Sequence, residues 1–121
     1  MSRHAGLILI LLALGPLACR GPAPAPSLSS NDPQARILGI RQAASQNDRA
    51  ALPQLVQALD DEDPAVRLFA IGALEKFAGD RFGYEYYFDE DQRKPSLERW
   101  RAWLERQRRE REPVDPPSRS K

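Results

Sequence analysis

Residues 63–71 read Asp-Pro-Ala-Val-Arg-Leu-Phe-Ala-Ile, and residues 32–40 read Asp-Pro-Gln-Ala-Arg-Ile-Leu-Gly-Ile. Asp, Pro, Arg and the final Ile occupy the same places in both segments, and an apolar residue follows each Arg. Repeats of this kind at a period of about 30 to 45 residues are typical of stacked helix pairs. The repeat therefore predicts an all-α fold, a short α-solenoid of about four helices. Such solenoids bind other molecules far more often than they catalyse reactions.

Both copies carry the signals that begin a helix. Asp32 and Asp63 are expected to cap their helices, and each precedes a proline, which suits the first helical position because the N–H it lacks would have no partner there. We expect a first helix over residues 32–45 and a third over 64–78, which Gly79 ends. The third helix is apolar over most of its circumference, so it should form the centre of the domain.

Two further helices complete the predicted stack. Residues 49–59 show the spacing of one apolar helical face, and Pro53 lies in the first turns of that helix, where it is tolerated or causes a bend. A last helix is expected to start at residues 94–96 and to run to residue 107. It places Trp100 and Trp103 on one side, as a cap for the open end of the stack. A Trp-lined groove for a ligand or peptide is the alternative.

The chain is expected to divide into four parts. Residues 1–18 have the composition of a signal peptide, with a positive start and an uncharged apolar run. Residues 19–31 form a Pro/Ala/Ser-rich tether, which we interpret as a disordered spacer. Residues 32–107 form the helical domain. Residues 108–121 form a charged, Pro-rich tail that is disordered from Glu112 onward.

Two stretches resemble a known protein family. Residues 52–74 carry Leu-Pro-x-Leu in one helix, Asp-Pro in the turn and Val-Arg at the start of the next helix. This segment resembles a HEAT repeat of the kind found in phycobilisome-lyase-like proteins, and the resemblance implies the same helical stack. Residues 79–84 and the Trp-x-x-Trp of residues 100–103 are similar to the C-terminal segment of many bacterial HEAT-like proteins. That similarity implies that they close the open end of the stack.

The end of the signal segment also resembles a known motif. Leu17-Ala18-Cys19 is similar to the lipobox of bacterial lipoproteins, although Pro16 stands where that pattern usually has Leu. The resemblance implies cleavage before Cys19 and lipidation of its thiol, and hence anchoring to a membrane. An ordinary signal peptide, cut nearby and leaving a free thiol, is the alternative.

The amino-acid composition excludes several kinds of catalytic and metal-binding site. The one histidine, His4, lies in the signal segment, and Cys19 is the only cysteine. Histidine-dependent nucleophiles and zinc sites with N and S ligands are therefore absent from the mature chain. The acidic run 60–63 lacks the spacing of a calcium loop and is better explained as a helix-capping turn. Without residues 1–18 the chain has 17 basic and 17 acidic residues, which does not favour nucleic acid as a partner. We predict no cofactor, no metal and no catalytic residue.

The predicted function is that of a non-catalytic interaction or scaffold module, lipid-anchored in the bacterial cell envelope on the periplasmic face or the cell surface. Its partner is an unknown envelope protein, and self-association stays open. The aromatic stretch after Gly79 and two arginines of the last helix are candidate contact residues: Phe82, Tyr84, Tyr86, Tyr87, Arg99 and Arg106. For the arginines, a salt-bridged solvent face is the competing interpretation. The alternative functions are a lyase-like enzyme or accessory subunit, and a small structural lipoprotein that contacts the cell wall.

Overall fold

The structure is a computed structural model that describes residues 21–113. Within that range it contains four α-helices and no strand. The helices are α1 (Pro33–Ser45), α2 (Leu52–Gln57), α3 (Pro64–Ala78) and α4 (Glu90–Arg111), and 3₁₀ turns at Arg49–Ala51 and Ala58–Asp60 flank α2. The predicted all-α class and short solenoid are therefore confirmed. The predicted signal peptide and Cys19 lie outside the described residues, as do residues 114–121 of the predicted tail.

The helices pack in two layers. Helix α1 packs chiefly against α3, while α2 packs against both α3 and α4. The apolar faces of all four helices meet in one core, whose fully buried side chains include Ile40, Leu55, Ile71, Leu74 and Trp100. The arrangement is one complete helix pair, α2 and α3, with one further helix on each side.

The sequence repeat is also a repeat of hydrogen bonds. Asp32 and Asp63 occupy the N-cap positions of α1 and α3 with nearly the same backbone angles, φ −82° and ψ 118° for the first and φ −81° and ψ 118° for the second. Each carboxylate accepts from the backbone N–H two residues later, at 2.9 and 2.7 Å. These bonds satisfy N–H groups that the first turn of a helix leaves without partners.

The arginines of the two copies extend this correspondence. Arg36 Nη1 donates to the carbonyl of Ser30 at 2.8 Å, and Arg67 Nη1 donates to the carbonyl of Asp61 at 2.6 Å. In both copies the acceptor lies six residues before the arginine. Each arginine therefore holds the turn that leads into its own helix.

The second predicted helix is interrupted. We expected one helix over residues 49–59, but only Leu52–Gln57 is α-helical and both ends are 3₁₀. Pro53 explains the first break, because its ring lacks an N–H and would clash with the carbonyl of Arg49 in a continuous α-helix. The chain adopts the tighter 3₁₀ turn instead.

Residues 26–30 are part of the fold, which corrects the predicted tether over residues 19–31. This N-terminal strap crosses α1: the N–H of Ser27 donates to the carbonyl of Ala35 at 2.9 Å, and Leu28 packs against the core. Gly39 makes the crossing possible. A Cβ at Gly39 would lie 2.8 Å from the backbone N of Leu28 and the backbone C of Ser27. The strap covers the surface of α1 around Ala35 and Gly39.

The last helix is longer than predicted at both ends. Helix α4 begins at Glu90, not at residues 94–96, and continues to Arg111, beyond the expected end at residue 107. Its start is fixed by a capping box, in which Asp89 accepts from the N–H of Gln92 and the Gln92 side chain accepts from the N–H of Asp89. Pro95 lies inside this helix, where it lacks the N–H that would otherwise bond to the carbonyl of Asp91.

Candidate interaction surface

The aromatic loop, residues 79–89, is held in place by side chains of α3 and α4 and by a carbonyl of the 3₁₀ turn Ala58–Asp60. Gly79 ends α3 in the left-handed region at φ 71°. A tight turn follows, in which Phe82 and Gly83 both have positive φ and the N–H of Tyr84 donates to the carbonyl of Arg81 at 3.0 Å. Positive φ is uncommon for an aromatic residue, so the surroundings must impose this turn.

Arginine and tryptophan side chains donate to the carbonyls of the loop. Arg67 Nε reaches the carbonyl of Tyr86 at 2.9 Å, and Arg93 Nη1 reaches that of Phe88 at 2.6 Å. From α4, Arg99 and Trp100 donate to the carbonyls of Phe82 and Arg81, at 2.7 and 3.2 Å. The loop therefore takes the place of a further repeat on the open end of the stack.

Tyr84 inserts from this loop into the core. Its side chain has no exposed surface, and its hydroxyl donates to the carbonyl of Leu59 at 2.6 Å. Burial raises the pKa of Tyr84 to about 12, because the ionised phenolate would lose its hydration, and the nearby Arg67 and Arg93 offset only part of that effect. Tyr84 is a core residue, which corrects its place among the candidate contact residues.

The other candidate contact residues differ in exposure. Tyr87 is 64% exposed and stacks edge-to-face on Tyr86, with ring centroids 5.4 Å apart. Phe82 is half-buried and packs edge-to-face against Trp100 at 4.7 Å. Tyr86 is also half-buried, while Arg106 is exposed on α4. The structure does not bring these residues together as one open surface; Tyr87 is the one aromatic of the set that is mostly exposed.

Trp100 and Trp103 are both buried, with 0% and 7% of their surface exposed. Their rings pack edge-to-face with centroids 5.4 Å apart. Neither indole can line an open groove in this arrangement. The geometry therefore corresponds to the capping interpretation, with Trp100 packed against Phe82 of the aromatic loop and Trp103 packed against Trp100.

The acidic run 60–63 is used within the fold. Asp63 caps α3, and Asp61 accepts from the N–H of Asp63 at 2.9 Å. Asp61 also pairs with Arg36, whose Nε lies 3.0 Å from Oδ2 and whose Nη2 donates to Oδ1 at 3.1 Å. Asp60 lies 3.4 Å from Arg93 Nη2. Across residues 21–113, no group of three or more His, Cys, Asp or Glu side chains could hold a metal ion.

Sequence reasoning missed the role of Arg93. Three aspartates are each followed by an arginine four positions later: Asp32 by Arg36, Asp63 by Arg67 and Asp89 by Arg93. In all three pairs the backbone N–H of the arginine donates to the backbone carbonyl of the aspartate. Arg93 is only 8% exposed. The shared Asp-x-x-x-Arg spacing is the signal that would have placed the start of α4 and its buried arginine.

An open apolar groove lies between α1 and α3. This α1–α3 groove has a volume of about 800 Å³. Leu68 and Phe69 line it while remaining 43% and 39% exposed, and they are two of the three large hydrophobic side chains that stay exposed in the described range. The prediction of a contact surface did not include them, since both were assigned to the buried face of the third helix.

The charged side chains that line the α1–α3 groove are all positive. Arg41 from α1 and Lys76 from α3 contribute to its lining, and no Asp or Glu does. Both cations are exposed, and neither forms an ion pair with another described residue. The groove therefore combines apolar surface with unneutralised positive charge.

The described part of the chain contains no helix that is both long and apolar enough to cross a membrane.

Comparison with known proteins identifies the repeat. The family model described as HEAT repeats matches residues 22–86. Neither the curated proteins nor the solved structures gave a match. HEAT repeats are generally non-catalytic, and they mediate protein–protein interaction or scaffolding. The matched region includes the N-terminal strap, the complete helix pair and the first part of the aromatic loop, and it spans more than half of the sequence. The chain belongs to the HEAT repeats family.

Proposed function

We propose that the protein is a lipid-anchored interaction module of the bacterial cell envelope and that the α1–α3 groove is its contact surface. One observation carries the assignment of the surface. Leu68 and Phe69 stay exposed side by side on α3, and no element within residues 21–113 covers them. Exposed apolar patches of this kind mark interaction sites in soluble domains.

The anchor is part of the same proposal and rests on the sequence around Cys19. The strap begins at Pro26, so only residues 20–25 separate the thiol from folded structure. Six extended residues span at most about 20 Å. A lipid on Cys19 would therefore hold the domain close to the head groups, and the groove, which Pro26 helps to line, would lie on the membrane-proximal part of the molecule.

Photocrosslinking in the native host tests the contact surface. A photoreactive amino acid at position 69 should give a discrete adduct with one envelope protein. The same group at Ala102, which is exposed on α4, serves as the matched control and should give no such adduct. Recovery of cell-wall polymer in place of a protein adduct, or equal adducts from both positions, would count against a protein-binding groove.

Fractionation tests the anchor. The wild-type protein should sediment with membranes and resist extraction by high salt, and Cys19→Ser should release it. Mass spectrometry of the membrane-bound form should show a chain that starts at Cys19 and carries acyl groups. A Cys19→Ser variant that is correctly processed and still sediments with membranes would contradict lipid anchoring.

A further inference from the structure

Gly72 is a part of the groove that the fold itself does not require. It lies in the middle of α3 on the exposed side, and a Cβ placed there would meet no atom within 4 Å. Glycine destabilises the interior of a helix relative to alanine, because it has more conformational freedom to lose on folding. Gly39 differs, since the strap would clash with any side chain at that position. Because it has no side chain, Gly72 leaves room for another backbone to approach α3 closely.

The residues around Gly72 define what such a partner presents. Phe69 lies one turn before it on α3 and Lys76 one turn after it. Arg41 lines the same groove from α1. A ligand that covers Phe69 and lies on Gly72 must be apolar along the side that enters the groove. Negative charges on the flanks of this ligand would add attraction, because no carboxylate that lines the groove neutralises Arg41 and Lys76.

The geometry of the groove favours a helix as the ligand. Helices α1 and α3 run side by side in the same direction, because Arg36 near the start of α1 pairs with Asp61 just before the start of α3. The lining residues extend from Leu38 to Ser45 on α1 and from Leu68 to Lys76 on α3. At 1.5 Å per residue these spans are about 10 to 12 Å long, or about two helical turns.

We infer that the α1–α3 groove binds an acidic amphipathic helix of a partner protein, with two turns of its apolar face on Gly72 and Phe69 and its carboxylates opposite Arg41 and Lys76. This inference rests on the proposed function, of which it specifies the partner chemistry. Helix-in-groove binding depends on apolar anchors at i, i+3, i+4 and i+7. A concave groove suits such a ridge better than it suits the flat surface of a bilayer.

Two model peptides test the inference. Both are labelled helical peptides with Leu at positions i, i+3, i+4 and i+7; one has Glu on its flanks and the other has Lys. Their binding to the full chain in neutral phosphatidylcholine nanodiscs is measured by fluorescence anisotropy, with empty nanodiscs as the control. The acidic peptide should bind about tenfold more tightly than the basic one, which corresponds to about 1.4 kcal/mol.

Three variants locate the binding site. Arg41→Glu combined with Lys76→Glu should reverse the peptide preference, while Arg101→Glu combined with Arg106→Glu, on exposed positions of α4, should leave it unchanged. Gly72→Ala should raise the urea midpoint of unfolding and yet weaken binding of the acidic peptide at least fivefold. A merely structural role for Gly72 would not weaken binding in a more stable protein.

Several outcomes would overturn the inference. Equal binding of the two peptides would do so, as would a preference that survives the Arg41/Lys76 reversal. Loss of acidic-peptide binding when phosphatidylglycerol replaces phosphatidylcholine would show that the groove lies on anionic lipid. Concentration-dependent dimers that the peptide cannot displace would assign the groove to a second copy of the chain. If these tests fail while position 69 still gives its adduct, the interaction module stands and only the acidic-helix partner is wrong.

Discussion

Tyr84 connects the aromatic loop to the centre of the stack through one hydrogen bond. Replacing it with Phe removes the donor and leaves the carbonyl of Leu59 without this partner, so Tyr84→Phe should lower the free energy of unfolding at pH 7 by about 1–2 kcal/mol. Tyr87→Phe is the matched control, because Tyr87 is mostly exposed. Urea unfolding followed by circular dichroism provides the measurement.

Tyr84 also predicts a pH dependence. Its pKa rises from the ordinary 10.0 to about 12 in the folded protein, so the unfolded chain releases the proton first as the pH increases. The stability contributed by the protonated form is fully present below pH 10 and is lost as the pH rises to about 12. The difference in stability between wild type and Tyr84→Phe should therefore shrink between pH 10 and pH 12. A difference that stays constant over this interval would argue against a buried phenol.

Gly39 and Gly72 form a matched pair of helical glycines. Gly39→Ala places a methyl group 2.8 Å from the strap backbone and should lower the free energy of unfolding by about 1–2 kcal/mol, even after the gain in helix propensity. Gly72→Ala meets nothing and should raise it by up to about 1 kcal/mol. Urea unfolding of both variants compares them directly. Equal effects of the two substitutions would show that the strap does not pack on α1.

At the scale of elements, the Arg36–Asp61 pair links two consecutive repeats. Only 14% of each side chain is exposed, so solvent screens the pair weakly. A double-mutant cycle with Arg36→Ala and Asp61→Ala should give a coupling energy of about 1–2 kcal/mol. The same cycle on Asp91 and Lys94, a pair on the surface of α4, should give a coupling near the detection limit. Chemical denaturation of the wild type, the two single variants and the double variant gives the four free energies of unfolding that each cycle needs.

Short sequence signals predict where some of the helices start. Asp32, Asp63 and the prolines after them mark the starts of α1 and α3, because a cap depends only on residues two or three positions away. The predicted start of α4 at residues 94–96 is wrong, because the capping box of Asp89 and Gln92 begins the helix at Glu90.

At the scale of the whole molecule, closure at both ends should make the stack unfold as one unit. The strap covers α1, and α4 with the aromatic loop closes the other end around Trp100. Trp100→Ala should lower the free energy of unfolding by about 3–5 kcal/mol and reduce the helicity of the entire domain, because the cavity lies between the loop and α4. Far-ultraviolet circular dichroism monitors all helices together.

Tyr87→Ala is the control for Trp100→Ala, since it removes an aromatic ring that is 64% exposed. It should change the stability by less than about 0.5 kcal/mol. A Trp100→Ala variant that keeps its full helicity and stability would show that the C-terminal element does not close the stack.

The sequence by itself determined the repeat, the all-α class, the helix caps and membership of the HEAT repeats family. These features depend on residues a few positions apart or on a pattern that recurs along the chain. Tertiary structure alone decided that Tyr84 is buried, that residues 26–30 fold across α1, and that Leu68 and Phe69 remain exposed. Tyr84 reaches the carbonyl of Leu59 across 25 positions of sequence, and no local spacing encodes such a contact. Which apolar residues of a helix stay exposed depends on the neighbours that the stack supplies, and between residues 21 and 113 no further helix covers the α1–α3 groove.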